Sequence, residues 1–388
     1  MRRKASRAAP ARNLAVMRVP APAHAGLAVL ARLLAACTSA PPVAGGPSPS
    51  ATHEAGTVTV AALLDLSGNR APRGDAQRSA MQQWVDAQRG TPRLRLRVVD
   101  VGGSDAKLLL ELKRAAEAGD TDAFVIGVPL IVGDALSHAI GLVKRPVLFT
   151  LPVLDPVAAA DGGRWMFGLA PSPDALARAT VDALPSRATP AIVVTNGTLL
   201  AGREELAITS LFRAQGRPMP FVMSAAPDQR DTFGQRFRPF ASTGAAVFFT
   251  GSASDYLSPV RLIPLNPGDS ASGLSVFLSY LTDANDASRL GDAAPATRWP
   301  ALRRTIGSAL GSHAASATDA LALLAFAGDG TGDAERSRAR IEDGTFAGIA
   351  TTYSFTASRH TGVDLADISL VAWDSGRIVA ARPIGGTR

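Results

Sequence analysis

Residues 123–156 read AFVIGVPLIVGDALSHAIGLVKRPVLFTLPVLDP, and this stretch decides the fold. Residues 123–127 and 146–150 are apolar runs of strand length, as in strands buried on both faces of a parallel sheet. Between them Ala135, Leu136, Ala139, Ile140 and Val143 recur at helical spacing, so the stretch predicts a strand, a loop, a helix and a second strand. Open α/β sheets bind ligands in the crevice beyond the carboxyl ends of their strands. The loops to question are therefore 128–132 and 151–154, and they contain no acid, base or hydroxyl.

Outward from this unit the pattern repeats. Residues 58–64 read as a first strand, 65–74 as a loop, and Ala80, Met81, Trp84, Val85 and Gln88 mark a helix. Residues 94–100 alternate like an edge-side strand, and Ser104 is placed to cap the helix carrying Leu108, Leu109, Leu112 and Ala116. Such βαβα alternation implies a parallel sheet with helices on both faces. After residue 173 the pattern restarts, with helices over 174–184 and 202–215 and strands over 190–195, 221–224 and 245–250. A helix carrying Phe233, Phe237 and Phe240 falls within this part. Residues 273–280 suggest another strand, 301–310 and 316–327 suggest helices, and 348–355, 368–373 and 377–381 are short β-rich runs. The class is α/β, in two lobes.

Charge speaks about the amino terminus rather than the lobes. The formal charge is +7, yet Arg2, Arg3, Lys4, Arg7, Arg12, Arg18 and Arg32 all precede Cys37 and no acidic residue does. The remainder holds 33 basic and 33 acidic residues, which gives no support to a nucleic-acid partner. The order of positive residues, the apolar run 26–31, and Leu34, Ala35 and Ala36 before Cys37 is that of an export signal. Cys37 is the single cysteine, which excludes an intrachain disulfide and a cysteine-ligated metal cluster. Residues 38–56 are rich in Pro, Gly, Ser and Ala and read as a flexible tether.

Chemistry-bearing motifs are scarce. No dinucleotide fingerprint, P-loop or nucleophile-elbow motif occurs, and the glycine-rich run 328–333 follows a helix and reads as a surface turn. His53, His138, His313 and His360 are scattered without metal-ligand spacing, so neither a cofactor nor a metal nor an enzymatic activity is expected. Tyr280 ends a predicted strand just before Thr282 and Asp283, where an α/β lobe presents ligand contacts.

The order of these segments resembles the periplasmic solute-binding proteins of ABC importers, in their Leu/Ile/Val-binding, type I branch. VAALLDLSG at 60–68 with Gly74 is similar to that family's opening strand and its Ser/Thr-Gly loop. FVIG at 124–127 followed by KRPVLFT at 144–150, FGLAPS at 167–172, ATDALALL at 317–324 and the run 348–355 match further family segments in order. Leu34, Ala35, Ala36 and Cys37 resemble a bacterial lipobox, whose cysteine carries lipid.

The resemblance implies two doubly wound, Rossmann-like lobes joined by a three-crossing hinge. One lobe takes residues 57–169 and 282–350, and the other takes 170–281 and 351–388. It implies a signal peptide over 1–37, and a monomer anchored by lipid on Cys37 outside the cytoplasmic membrane or in the periplasm. A small ligand would be trapped between the lobes and passed to permease subunits. Implied contacts are Ser67 and Asn69 in the opening loop, and Pro129, Leu130, Ile131, Leu151 and Pro152 where relatives hold an α-carboxylate. Asn196, Thr198, Ser252, Tyr280, Thr282 and Asp283 line the second lobe. A carboxylate buried without donors costs several kcal/mol by rough transfer values, so an apolar or weakly polar ligand is expected rather than a zwitterionic amino acid. The alternative is a ligand-free relative serving as an envelope scaffold or regulator, since fold does not dictate function.

Overall fold

The computed structural model describes residues 56–89, 92–130, 132–153, 162–182, 190–195, 198–224, 235–236, 239, 246–250, 273–278, 312–365, 368–374 and 377–383. Phe233, Phe237 and Phe240 and the helix expected over 301–310 lie outside them. The chain opens with β1 (Thr57–Leu64), α1 (Ala71–Ala87), β2 (Arg93–Asp100), α2 (Asp105–Ala118), β3 (Ala123–Gly127), α3 (Asp134–Val143), β4 (Val147–Phe149) and β5 (Met166–Gly168). Its five strands form an all-parallel sheet in the order β2-β1-β3-β4-β5, with Val60 beside Ala123 and Phe124 beside Val147. β2 is an edge strand, as its alternation predicts.

Period-two alternation on β1 divides the core. Val58, Val60, Ala62 and Leu64 pack with Ala80, Met81 and Trp84 of α1, whereas Ala61 and Leu63 pack with Leu108, Leu112, Leu136 and Ile140 of α2 and α3. Ser104 caps α2 by accepting from the Lys107 amide at 3.3 Å. α1 starts at Ala71, inside the stretch read as loop, because Pro72 suits a first helical turn, whose early amides have no partner anyway. β5 is also new, being too short for its periodicity to declare it.

From β5 the chain passes into α4 (Pro173–Asp182), β6 (Ala191–Thr195), α5 (Leu199–Ala214), β7 (Phe221–Ser224), β8 (Ala246–Phe249) and β9 (Gly273–Leu278). It returns with α6 (Ser312–Ala327), α7 (Ala334–Glu342), β10 (Thr345–Ala347) and β11 (Thr352–Ser354), then lays down β12 (Ile368–Asp374) and β13 (Arg377–Pro383). The second sheet has the order β13-β12-β9-β8-β6-β7, parallel from β7 to β9 and antiparallel beyond. Leu176 and Ala179 of α4 join the first core, and Ala177 and Val181 join the second with Ala191, Val193, Ile208, Phe212 and Phe248.

α6 brings Ala317, Leu321 and Leu324 onto the first sheet. The β-rich run 348–355 holds the turn and the second strand of an antiparallel hairpin of β10 and β11. Tyr353 and Phe355 are buried in the first core, so the passage to the second sheet follows Phe355. Asp319 of α6 ties this segment down. Its Oδ1 accepts from the Ile349 amide at 2.5 Å, and its Oδ2 accepts from the Ala350 amide at 2.7 Å and the Tyr353 hydroxyl at 3.0 Å. Residues 328–333 form a turn in which Asp333 caps α7, accepting from the Arg336 amide at 3.0 Å. Among the described residues no helix is long and apolar enough to cross a membrane.

Candidate functional site

In a parallel sheet the loops beyond the carboxyl ends form the rim open to a ligand. Here the rim after β1 and β2 is held by two aspartates. Asp100, the last residue of β2, accepts through Oδ1 from the Leu66 amide at 2.8 Å and the Gly102 amide at 2.9 Å. Asp65 accepts through Oδ1 from the Gly103 amide at 2.6 Å, so each loop is anchored by the other's carboxylate. Its Oδ2 is buried without a directed hydrogen bond, 3.6 Å from Arg70 Nη1. The Leu66 amide holds the Asp100 carboxyl below its ordinary range, the Ser67 hydroxyl and the Gly102 amide add to this, and partial burial opposes it. Ser67, expected to face a ligand, thus directs its hydroxyl at Asp100. Gly102 and Gly103 have φ of 57° and 70°, the left-handed turn that lets both amides point at carboxylates.

Under the next two strand ends lies a polar support. Gln77 of α1, wholly buried, donates from Nε2 to the Gly127 carbonyl at 2.9 Å and accepts from the Thr150 hydroxyl at 2.6 Å. A Cβ on Gly127 would meet Gln77 Oε1 at 2.3 Å, so glycine is required there. Gln77 therefore joins the starts of the two loops that the sequence nominated as ligand contacts. Those loops differ from expectation in where their side chains go. Val128, Leu130, Leu151 and Val153 are 6%, 6%, 3% and 2% exposed, and Val128, Leu130 and Val153 pack with Leu136 and Trp165 in the core. Leu130 thus packs inward in the core of the first sheet, and Leu151 is buried as well, rather than both standing on an open apolar wall. Pro129 and Pro152 stay half-buried, and Ser67 and Gly68 are exposed.

In the second sheet Thr198 is committed to capping α5, accepting from the Ala201 amide at 3.3 Å. At the carboxyl edge of the same sheet lies Thr250, after β8, whose amide donates to the Val194 carbonyl of β6 at 3.0 Å. The Thr250 hydroxyl is buried and has no hydrogen-bond partner among the described residues. Cys37, Ile131, Asn196, Ser252, Tyr280, Thr282 and Asp283 lie outside the described residues, and of Asn69 only the backbone, in the 3-10 turn 68–70, is described. Sequence reasoning passed over Asp65, Asp100, Gln77 and Thr250. Aspartates beside glycines at strand ends, and one amide inside an apolar helix stripe, were the available signals.

The described rim loops contain no histidine or cysteine, and among the described residues no three of His, Cys, Asp and Glu are gathered as metal ligands. What the described rim offers is a set of pre-positioned backbone groups and small side chains.

No protein-family model matches the chain, and neither does any curated protein sequence. Solved structures do match it. A type 1 periplasmic binding protein from Bordetella pertussis Tohama I superposes with a TM-score of 0.63 at 14% identity, over 85% of this chain and 100% of its own. An ABC-transporter solute-binding protein from Rhodopseudomonas palustris, in complex with benzoate, has a TM-score of 0.61 at 18% identity, over 85% and 99%. An ABC-transporter substrate-binding protein from Desulfitobacterium hafniense, in complex with Leu, has a TM-score of 0.56 at 17% identity, over 84% and 100%. Two α/β sheets in this order and these superpositions lead to one conclusion: the chain has the type I periplasmic-binding-protein fold.

Proposed function

We propose that the chain is an exported solute-binding receptor of an ABC importer, tethered through residues 38–56 by lipid on Cys37. It takes up a small ligand, as a monomer without cofactor, between a lobe of residues 57–169 and 282–350 and a lobe of residues 170–281 and 351–388. The hairpin residues through Phe355 pack with the former lobe. The observation that carries this reading is the first-sheet rim, where Asp65 and Asp100 hold two loops ready and leave Ser67 and Gly68 exposed. A pre-formed rim lowers the ordering cost of binding. The benzoate- and Leu-bound neighbours support a small organic ligand.

The ligand is apolar or weakly polar, such as an aromatic amide, rather than a free branched-chain amino acid. The positions where amino-acid-binding relatives carry hydroxyls hold Pro129, Leu130, Leu151 and Pro152. Polar selection falls to the second lobe, to Asn196, Thr198, Ser252, Tyr280, Thr282 and Asp283. Thermal-shift screening followed by calorimetry, with benzoate, benzamide and leucine as the first probes, tests it. A ligand at a hundred times its Kd stabilises by about 2.7 kcal/mol, which such screening detects. Micromolar binding of leucine refutes the ligand assignment.

A second reading, a ligand-free envelope scaffold, draws on the burial of Leu130, Leu151 and Val153, which removes apolar wall from the crevice. Silence across a broad panel of small metabolites favours it. The anchor is tested separately: Cys37→Ser releases the protein from membranes with its thermal transition unchanged, and wild-type protein found wholly in the cytosol refutes export.

A further inference from the structure

His360 sits where the chain passes between its two sheets. It follows β11, whose neighbours belong to the first core, and precedes β12 of the second sheet. Its segment runs beside the other described passage, from β5 into α4. The Gly168 amide donates to the His360 carbonyl at 2.7 Å, and the Gly362 amide donates to the Gly168 carbonyl at 2.9 Å. Two passages are thus bonded to each other at the point where any rotation of one sheet against the other must be absorbed.

The imidazole is 1% exposed and stacks on Phe167 of β5, with ring centres 4.4 Å apart. Among the described residues, the polar atoms placed against its ring nitrogens are acceptors. Nδ1 lies 2.9 Å from the Met166 carbonyl oxygen and 3.1 Å from that of Gly163. Nε2 lies 3.2 Å from Glu342 Oε1 of α7, and it makes no well-directed hydrogen bond there. Glu342 also receives Arg338 Nη1, and Arg338 in turn pairs with Glu335, which pairs with Arg164. On its own segment Arg359 pairs with Asp364, so the carboxylate facing the ring is that of Glu342.

A neutral imidazole has one N–H, and with Nδ1–H given to Met166 its Nε2 lone pair would face the Glu342 carboxylate. The imidazolium instead presents a donor to each acceptor and a positive charge to Glu342. We propose that His360 is a pH-sensitive latch, which ties the 360–362 passage to β5 and α7 when protonated and loosens it when neutral. The sign follows from the partner. Glu342 faces Nε2 and favours the protonated ring, so the latch is set at lower pH and is lost as pH rises. This rests on the passage geometry alone, and holds whichever ligand, if any, occupies the crevice.

The test is amide hydrogen exchange by NMR on the whole protein, expressed as protection factors so that intrinsic exchange chemistry cancels. Protection at Gly168 and Gly362 should fall about fivefold to tenfold between pH 5.5 and 8, the loss expected for one charge-assisted contact. The change should follow the titration of the His360 ring in the same spectra. In Glu342→Gln and in His360→Phe, which keeps the stack on Phe167, the two amides should show no such dependence. Wild-type protection that is flat, that rises with pH, or that changes without tracking the His360 ring overturns the proposal. That readout needs no variant to fold.

Discussion

Removing the carboxylate of Asp319 should cost more stability than any other single change at the described hairpin. Asp319 is fully buried on α6 and accepts from two backbone amides and the Tyr353 hydroxyl. Asp319→Ala strands three donors in the core. At about 1–3 kcal/mol for each buried group left unsatisfied, the ceiling is about 9 kcal/mol, and relaxation or an entering water brings the expected loss to about 3–5 kcal/mol. Tyr353→Phe removes one donor and leaves the carboxylate its two amides, so it should cost about 1 kcal/mol. Gly348→Ala acts on the same cluster, because its Cβ would lie 2.5 Å from Asp319 Oδ2 and 2.6 Å from the Tyr353 ring. Urea unfolding followed by circular dichroism reads these as a falling midpoint at constant slope. A loss below about 1 kcal/mol in Asp319→Ala, or a larger loss in Tyr353→Phe, would refute the clamp, since both follow from counting the donors that carboxylate satisfies.

Gln77→Leu leaves the Gly127 carbonyl and the Thr150 hydroxyl unpaired in the core, and should destabilise by about 2–3 kcal/mol in the same assay. Asp100 has its carboxyl held low in the folded state, so it contributes stability that is present above its unfolded value and lost as pH falls through the folded one. Asp100→Asn should therefore flatten the acid limb of a stability-against-pH curve, and an unchanged limb would count against the cross-tied loops. Lys144 closes α3 at φ 51°, a conformation that disfavours a side chain, so Lys144→Gly should raise stability by about 0.5–1 kcal/mol in thermal unfolding.

Features that depend on near neighbours are legible in the order of residues alone. Apolar runs at 123–127 and 146–150, the stripe of α3 between them and the Ser104 cap all rest on residues within a few positions of one another, and all appear as read. From these the parallel α/β class and the rim as the place to look followed. Tertiary structure decided the rest. Whether Leu130 and Val153 face a crevice or the core depends on how α3 and Trp165 close beneath them, which no spacing encodes. Asp319 lies 30 and 34 residues from Ile349 and Tyr353, and His360 lies 194 residues from Met166. In isolation these are an aspartate in an apolar helix and a scattered histidine. Their partners come from distant segments, because burial forces a polar group to satisfy itself with whatever backbone the fold brings past it.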